Sequence, residues 1–254
     1  MTQFSTLLLT LITGLFLIVG SIIVFLSKNN DKLVNFSISM AFGVILMLIM
    51  LELLPESYEL MNESINGNIS YILIFIFVII GILILKLLDL FIPDHDLENE
   101  SEKEKNENLF HIGIVSSIAL ILHNLIEGMA IYSTVITSFE MGLMLVIGVG
   151  LHNIPMGMVV TSTFYKANNS KFKTFCMIFI IAISTFIGGL IMFLMNTLIT
   201  NTVLAILLCI TLGMLIYIII FELLPEMKHS HDIKNNVIGI IIGILIFLIS
   251  TFLE

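Results

Sequence analysis

Apolar residues run along this chain in eight long stretches, and short polar segments separate them. The stretches cover about residues 4–26, 36–57, 69–92, 110–136, 141–164, 173–198, 202–226 and 236–253. A membrane-spanning helix needs about 20 mainly apolar residues, whereas a barrel strand alternates apolar and polar positions over about ten. Only helices and closed barrels satisfy their backbone groups in lipid. The pattern therefore predicts an all-α integral membrane protein with eight transmembrane helices in one domain, residues 1–254.

The composition supports a membrane protein and excludes one class of partner. Hydrophobic residues make up 58% of the chain and charged residues 11%, against about 25% charge in a soluble domain. The net charge is −9, and the sequence has no basic stripe that would bind a nucleic-acid backbone. We therefore expect the lipid bilayer, and no nucleic acid, as a partner. The first apolar run, 4–26, is too long for the core of a cleaved signal peptide and is interpreted as a membrane helix.

The lysines lie on one side of the predicted membrane topology. They are residues 28, 32, 86, 103, 105, 166, 171, 173, 228 and 234, in or beside the connections after predicted helices 1, 3, 5 and 7. Because cytoplasmic loops carry the excess of Lys and Arg, that side is predicted to be cytoplasmic and both termini extracellular. The chain has no arginine and is rich in Ile, Asn and Lys, which indicates an AT-rich genome. We expect a multi-pass protein of a bacterial plasma membrane.

The connection between predicted helices 3 and 4, residues 93–109, is polar, highly charged and poor in apolar residues. Such a segment cannot bury enough apolar surface to offset the entropy of ordering its chain. We therefore expect a disordered cytoplasmic loop at 93–109.

Two short sequences each occur twice. The pentapeptide ELLPE ends predicted helix 2 at 52–56 and predicted helix 7 at 222–226. These helices cross the membrane in opposite directions, which indicates an inverted repeat of helices 1–3 and 6–8. Between them, residues 122–129 (LHNLIEGM) match residues 151–158 (LHNIPMGM) at five of eight positions. The predicted architecture is therefore 3+2+3, with a distinct central pair of helices.

Predicted helix 4 carries three polar residues, His123, Asn124 and Glu127. His123 follows Phe110 by 13 residues, which places it about 20 Å along the helix, near the bilayer midplane. His123 and Glu127 are four residues apart and lie on the same face, one turn from each other. A carboxylate at this depth is costly, so it normally faces the interior of the bundle and has a partner.

Predicted helix 5 repeats this arrangement with His152, Asn153 and Met156. Pro155 removes a helical hydrogen bond, and such a break often marks the binding site of a transporter. A lone Met in a membrane helix is usually a packing residue. Met156 is therefore a candidate ligand, with a packing role as the open alternative.

Together the two helices offer two imidazoles, a carboxylate, two amides and a thioether. Imidazole with carboxylate suits Zn²⁺, Fe²⁺, Mn²⁺ or Co²⁺, whereas a thioether favours softer ions. A divalent metal ion is the expected substrate, and no cofactor is expected. A bis-histidine haem is an alternative, although haem does not account for the neighbouring Asn and Glu residues. The chain contains no HExxH, G-x-S-x-G or P-loop sequence, so we do not expect an enzyme.

The ELLPE carboxylates lie near the two predicted membrane surfaces. Glu52 and Glu56 are near the outer end of predicted helix 2, and Glu222 and Glu226 are near the inner end of predicted helix 7. One pair near each mouth would serve cation uptake and release; the alternative is that Glu56 and Glu226 are only interfacial. Histidines 95, 111, 229 and 231 lie in or beside the cytoplasmic segments, where they either pass ions along or have no role.

These motifs resemble those of the ZIP (Zrt/Irt-like) family of divalent metal transporters, and the resemblance covers nearly the whole chain. The family signature HNxxEG is present at 123–128, and its helix 5 sequence HNxPEG corresponds to HNIPMG at 152–157. The resemblance implies two metal sites between helices 4 and 5. The first would use His123, Glu127, His152, residue 156 and Glu222. The second would use Asn124, Glu127, Asn153, residue 156 and an acid of helix 6.

Two departures from the family change this expectation. Met156 replaces the family's helix 5 Glu, and predicted helix 6 has no acid, with Gly188 where some members have Glu. We therefore expect one metal ion, with Glu127 as the central carboxylate. The resemblance further implies a secondary transporter, usually a homodimer, that carries zinc, or iron, manganese, cadmium or cobalt, into the cytoplasm. A transport-inactive metal-binding or metal-sensing membrane protein is the alternative.

Overall fold

The computed structural model describes residues 3–27, 31–65, 68–89, 102–195, 200–230 and 232–253. These residues form helices and short connections, with no strand among them. Eight helices are long and apolar enough to cross a membrane. They are α1 (Gln3–Leu26), α2 (Asp31–Ser64), α3 (Asn68–Asp89), α4 (Glu102–Thr137), α5 (Phe139–Asn168), α6 (Lys171–Met195), α7 (Asn201–His229) and α8 (Ile233–Leu253). The predicted all-α membrane class and the number of helices are confirmed.

The helices extend beyond the apolar runs that predicted them. α2 shows the largest difference, since it spans Asp31–Ser64 where the apolar run covers 36–57. A helix satisfies its own backbone whether lipid or water surrounds it, so it does not have to stop where the apolar residues stop. The apolar pattern therefore locates each helix better than it locates its ends.

Residues 102–109 correct the prediction for the long loop. α4 begins at Glu102, so this part of the segment predicted to be disordered is helical. It contains no Gly or Pro that would stop a helix, and it continues directly into the membrane span. Residues 90–101 lie outside the described residues, so disorder and a cytoplasmic position remain predictions for 93–101.

The helices pack as two groups of four. α1, α4, α5 and α6 form one group, which we call the site bundle, and α2, α3, α7 and α8 form the other, the flanking bundle. In the site bundle α1 packs on α5 as α6 packs on α4, and in the flanking bundle α2 packs on α8 as α7 packs on α3. Exchanging α1–α3 with α6–α8, and α4 with α5, maps each of these contacts onto another. The packing therefore supports the inverted repeat read from the two ELLPE sequences.

Glycines interlock the helices inside each bundle. A Cβ on Gly188 of α6 would lie 1.9 Å from the carbonyl oxygen of Leu125 in α4, and one on Gly243 of α8 would lie 2.1 Å from that of Met40 in α2. Backbones can approach this closely only where a residue has no side chain. Among the described glycines, every such contact under 3.0 Å joins helices of the same bundle. Each bundle is therefore tightly fastened within itself.

Both ELLPE sequences begin within a widened turn of helix. Residues Ile49–Leu53 of α2 and Ile218–Leu223 of α7 form π-helix, and the first Glu of each pentapeptide lies in this turn. The amide of Leu54 bonds the carbonyl of Ile49, and that of Leu224 bonds the carbonyl of Ile219. The proline that follows each turn has no N–H to donate, which loosens the ladder at this point. Such single π turns are frequent at functional sites.

Several contacts gather the lysine-bearing connections at one end of the molecule. Lys166 at the end of α5 lies 3.3 Å from Asp31 at the start of α2. Lys171 of α6 lies over the ring of Phe25 in α1. We call this end the lysine end. Glu222 and Glu226 lie on the lysine-end side of α7, whereas Glu52 and Glu56 lie towards the opposite end of α2.

Candidate metal site

α4 places His123 and Glu127 one turn apart, facing the interior. The Nε2 atom of His123 lies 2.7 Å from Oε1 of Glu127. His123 is 1% exposed and Glu127 is 6% exposed, so neither group is solvated from the surface. The spacing of four residues therefore produces the convergence that the sequence predicted for this pair.

α5 brings a second imidazole to the same carboxylate oxygen. Nε2 of His152 lies 2.9 Å from Oε1 of Glu127, and the ring centroids of His123 and His152 are 6.3 Å apart. Ligand atoms of the three residues all lie within 4.8 Å of one another. In the part of the chain that the structure describes, this is the one group of three or more His, Cys, Asp and Glu residues with metal-site spacing.

Two buried amides next to the histidines in sequence, and the second oxygen of Glu127 itself, lack a full set of hydrogen-bond partners. Asn124 donates from Nδ2 to the carbonyl oxygen of Ile181 at 3.2 Å, but its Oδ1 has no hydrogen-bond partner. Neither amide atom of Asn153 has a hydrogen-bond partner, and neither does Oε2 of Glu127. Leaving such groups unsatisfied costs about 1–3 kcal/mol each. Asn153 is fully buried. This excess of unsatisfied donors and acceptors is suited to a site that binds a polar or ionic ligand.

Met156 lies one turn after His152 and is completely buried. It belongs to the main hydrophobic cluster, together with residues such as Leu17 and Val160. This environment favours a packing role for the thioether, and a role as ligand remains a prediction.

A cavity of about 180 Å³ connects the centre to the carboxylates of α2. His123 and Glu127 line it together with Glu52 and Glu56, which are both half-buried. The remaining walls come from Leu53, Ile126, Ala130, Ile131, Thr134, Leu145, Val149 and Leu208. The first two predicted mouth carboxylates and the central pair therefore share one continuous space.

Glu222 and Glu226 are in a different position from the one that the resemblance implied for Glu222. Both are buried, and Oε1 of Glu222 lies 3.9 Å from Nε2 of His111. Asn108 donates from Nδ2 to Oε2 of Glu226 at 3.1 Å. Glu222 is not part of the group formed by His123, Glu127 and His152. In this structure it belongs instead to a second polar cluster, towards the lysine end.

Sequence reasoning missed the position of His111. It placed this residue beside a loop, but His111 is 4% exposed and lies well inside α4, nine residues after its start. The available signal was the spacing of Asn108 and His111, which are three residues apart and share a helix face. Histidines 95 and 231 lie outside the described residues.

Helix α6 cannot supply an acid at position 188 in this packing. Any side chain there would meet the backbone of Leu125 in α4. The nearby polar group of α6 is Thr185, whose buried Oγ1 has no hydrogen-bond partner. The backbone at Gly128 is packed against the Thr185 carbonyl. The expectation of a single ion is consistent with this arrangement, because Glu127 is the acid that this group of ligands contains.

Comparison with known proteins identifies related sequences over nearly the whole chain. The family model described as "ZIP Zinc transporter" matches residues 92–251. The chain is 29% identical over 256 residues to the zinc transporter ZupT of Chlorobaculum parvum, covering 96% of each protein. It is 28% identical over 257 residues to the zinc transporter ZupT of Streptococcus mutans, covering 98% of this chain and 97% of the relative. The matched regions include α4 and α5, which carry the centre, and the helices before and after them.

Proposed function

Because this chain belongs to the ZIP family of zinc transporters, we propose that it carries a divalent metal ion, zinc above all, across the membrane through His123, Glu127 and His152. One observation carries the proposal: two imidazoles converge on a single carboxylate oxygen where a cavity reaches the middle of the bundle. Imidazole and carboxylate together suit Zn²⁺, and also Fe²⁺, Mn²⁺, Co²⁺ and Cd²⁺. The ion is the substrate, and the protein is a transporter rather than an enzyme.

The ion is held by one carboxylate and two neutral ligands. His123, Glu127 and His152 bind it directly. Asn124 and Asn153 each follow one of these histidines in the sequence, and their amides supply further ligands to the ion. A single negative charge at the centre keeps the affinity moderate, because a divalent cation binds less tightly as carboxylates are removed. Moderate affinity lets the ion leave again, which a transporter requires.

The carboxylates of the two ELLPE sequences serve the two mouths. Glu52 and Glu56 attract the ion and replace part of its water as it moves along the shared cavity to Glu127. On the other side, Glu222 and Glu226 receive it together with His111 and Asn108. Acidic groups at both mouths raise the local cation concentration and provide oxygen ligands along the route.

The two bundles move relative to each other during transport. Close glycine contacts hold the helices of each bundle together. Sliding or rocking at the contact between the bundles would therefore break the fewest of these contacts. Displacing the site bundle would close the cavity at Glu52 and Glu56 and open a path at Glu222 and Glu226. This is alternating access in which the ion site moves with its bundle.

The orientation follows from the lysines. We place the lysine end in the cytoplasm, both termini outside, and the protein in the plasma membrane of a bacterium. The Glu52 mouth then faces outwards, and ions move down their gradient into the cell. We further propose that the protein is a homodimer, as the family usually is.

The test is metal flux into proteoliposomes, comparing Zn²⁺, Fe²⁺, Mn²⁺, Cd²⁺ and Co²⁺ for the wild type and His123→Ala. Saturable zinc flux that His123→Ala abolishes is the expected result, because the variant removes one of two imidazoles at the carboxylate. Folded protein that binds zinc without moving any of the five ions would overturn the proposal in favour of a metal-binding or metal-sensing protein. A Soret band in purified protein would favour the haem alternative.

A further inference from the structure

One aromatic ring lies directly on the metal site from the other bundle. The ring of Phe247 in α8 stacks on the imidazole of His152, with centroids 5.9 Å apart and 25° between the planes. Phe247 is 0% exposed and is the largest fully buried side chain of the described residues. His152 belongs to the site bundle and Phe247 to the flanking bundle, so the stack crosses the contact between them.

Among the described residues, the other ring contacts do not cross this boundary. Phe25 and Tyr165 join α1 to α5, Phe110 and Phe164 join α4 to α5, and Tyr132 and Phe193 join α4 to α6. All three pairs lie inside the site bundle, so they would be unchanged by a movement of one bundle against the other. The stack on His152 would not survive such a movement.

The stack also fixes the direction of the imidazole. With the ring of Phe247 in an offset stack beside it, His152 points Nε2 at Glu127, 2.9 Å from Oε1. Offset stacking of two planar rings is favoured at centroid separations of about 4.5–7 Å, and it opposes rotation of either ring out of the common plane. Losing Phe247 would therefore free the imidazole to turn away from the ion.

We propose that Phe247 is a positioning residue that couples the metal ligand His152 to the arrangement of the two bundles. It aligns the imidazole when the cavity is open at Glu52, and it stabilises that arrangement relative to any in which the bundles have slid. This inference rests on the proposed transport function. It identifies the stack of Phe247 on His152 as a contact that breaks when one bundle moves against the other. The flanking bundle thus takes part in ion binding through an apolar ring.

The experiment measures both roles in one reporter protein. Cys176 and Cys209 are replaced by Ala, and Thr134→Cys, in the wall of the cavity, is labelled with a membrane-impermeant maleimide in proteoliposomes. Phe247→Leu keeps an apolar side chain but removes the ring. Phe193→Leu is the matched control, because it removes a ring contact that lies inside one bundle.

Phe247→Leu is expected to slow labelling of Thr134→Cys and to raise the KM for zinc, each by between about two- and tenfold, the range that a ring-pair contact corresponds to. Phe193→Leu is expected to change neither quantity. A change in kcat with an unaltered KM and unaltered labelling would overturn the proposal, and so would equal effects of both variants. If Phe247→Leu does not fold, Phe247→Met, which fills the space with a flexible apolar chain, takes its place.

The outcome separates this inference from the proposed function. Absence of zinc flux in the wild-type chain, which carries no reporter substitution, would contradict transport. Normal zinc flux in the reporter protein combined with wild-type labelling and KM in Phe247→Leu would contradict the role of Phe247 alone.

Discussion

The two ELLPE sequences are the same five residues in two different environments. In both, the first Glu lies in a π turn and a proline follows. Glu52 and Glu56 are half-buried and line a cavity that reaches His123 and Glu127. Glu222 and Glu226 are buried, with His111 3.9 Å from Glu222 and Asn108 bonded to Glu226.

This difference cannot come from the pentapeptide, since its residues and its backbone are shared. It comes from what each copy packs against. The copy in α2 lies beside the cavity, whereas the copy in α7 is covered by the lysine-end half of α4. In the proposed transport cycle, this difference corresponds to an open mouth at the α2 copy and a closed mouth at the α7 copy, as alternating access requires. The same chain would reverse the two environments when the bundles move.

The largest expected effect lies at the centre that both mouths share. Glu127→Gln removes the carboxylate that both imidazoles contact, and zinc flux is expected to fall at least about 100-fold, since even groups that only support metal ligands contribute 10–100-fold. Glu140→Gln is the matched control, because Glu140 is an exposed acid in the first turn of α5 and is expected to leave flux unchanged. Radiotracer uptake into proteoliposomes measures both variants. Equal losses in the two would show that the effect comes from general charge and not from the site.

The next prediction separates the two mouths from each other. Glu52→Gln weakens the attraction of the ion to the open cavity, so the KM for zinc is expected to rise by about three- to tenfold with little change in kcat. Glu222→Gln weakens the binding of the ion on the proposed release side. The kcat is therefore expected to fall by a similar factor, with a smaller change in KM.

Initial rates over a range of zinc concentrations distinguish these two patterns. The same kinetic change in both variants would mean that the two copies of ELLPE have equivalent roles, which contradicts the difference between their environments.

At Met156, which distinguishes this centre from the family pattern, the expected effect is on ion preference and not on the overall zinc flux. Met156→Glu adds a second carboxylate, so Mn²⁺ flux is expected to increase relative to Cd²⁺ flux by about tenfold, because manganese prefers oxygen ligands. Met156→Leu, a change of similar volume, is expected to leave zinc flux near the wild-type value, since Met156 packs in the main hydrophobic cluster. Competition between metals in the same uptake assay measures both. A large loss of zinc flux in Met156→Leu would instead identify the thioether as a ligand.

The sequence predicted the features that depend on local periodicity. Eight apolar runs of sufficient length determine eight membrane helices, and the spacing of four residues places His123 and Glu127 on one face. The inverted repeat could be read from the pentapeptide because its two copies lie on helices of opposite direction. All of these features can be predicted from the order of residues along the chain, without knowing how the helices pack.

Features that depend on how one helix lies against another could not be predicted in this way. Phe247 is one apolar residue among many in α8, and only the register of α8 against α5 makes it the ring that stacks beside His152. The contact between His111 and Glu222 likewise depends on the register of α4 against α7. The helix continues through 102–109 because nothing in this segment stops it. A high charge content does not by itself end a helix.

In the proposed mechanism, the two mouths open in turn around one ion site. Two reporters on the same face of α4 test it: Thr134→Cys lies in the cavity wall, and Ser116→Cys, 4% exposed, lies on the other side of His123. Each is labelled with a small polar maleimide while zinc crosses the liposome membrane, in protein that otherwise lacks cysteine. Both positions are expected to react during transport, and zinc is expected to change their labelling rates in opposite directions. Sustained zinc flux through protein in which Ser116→Cys never reacts, or in which both rates always change together, would contradict it.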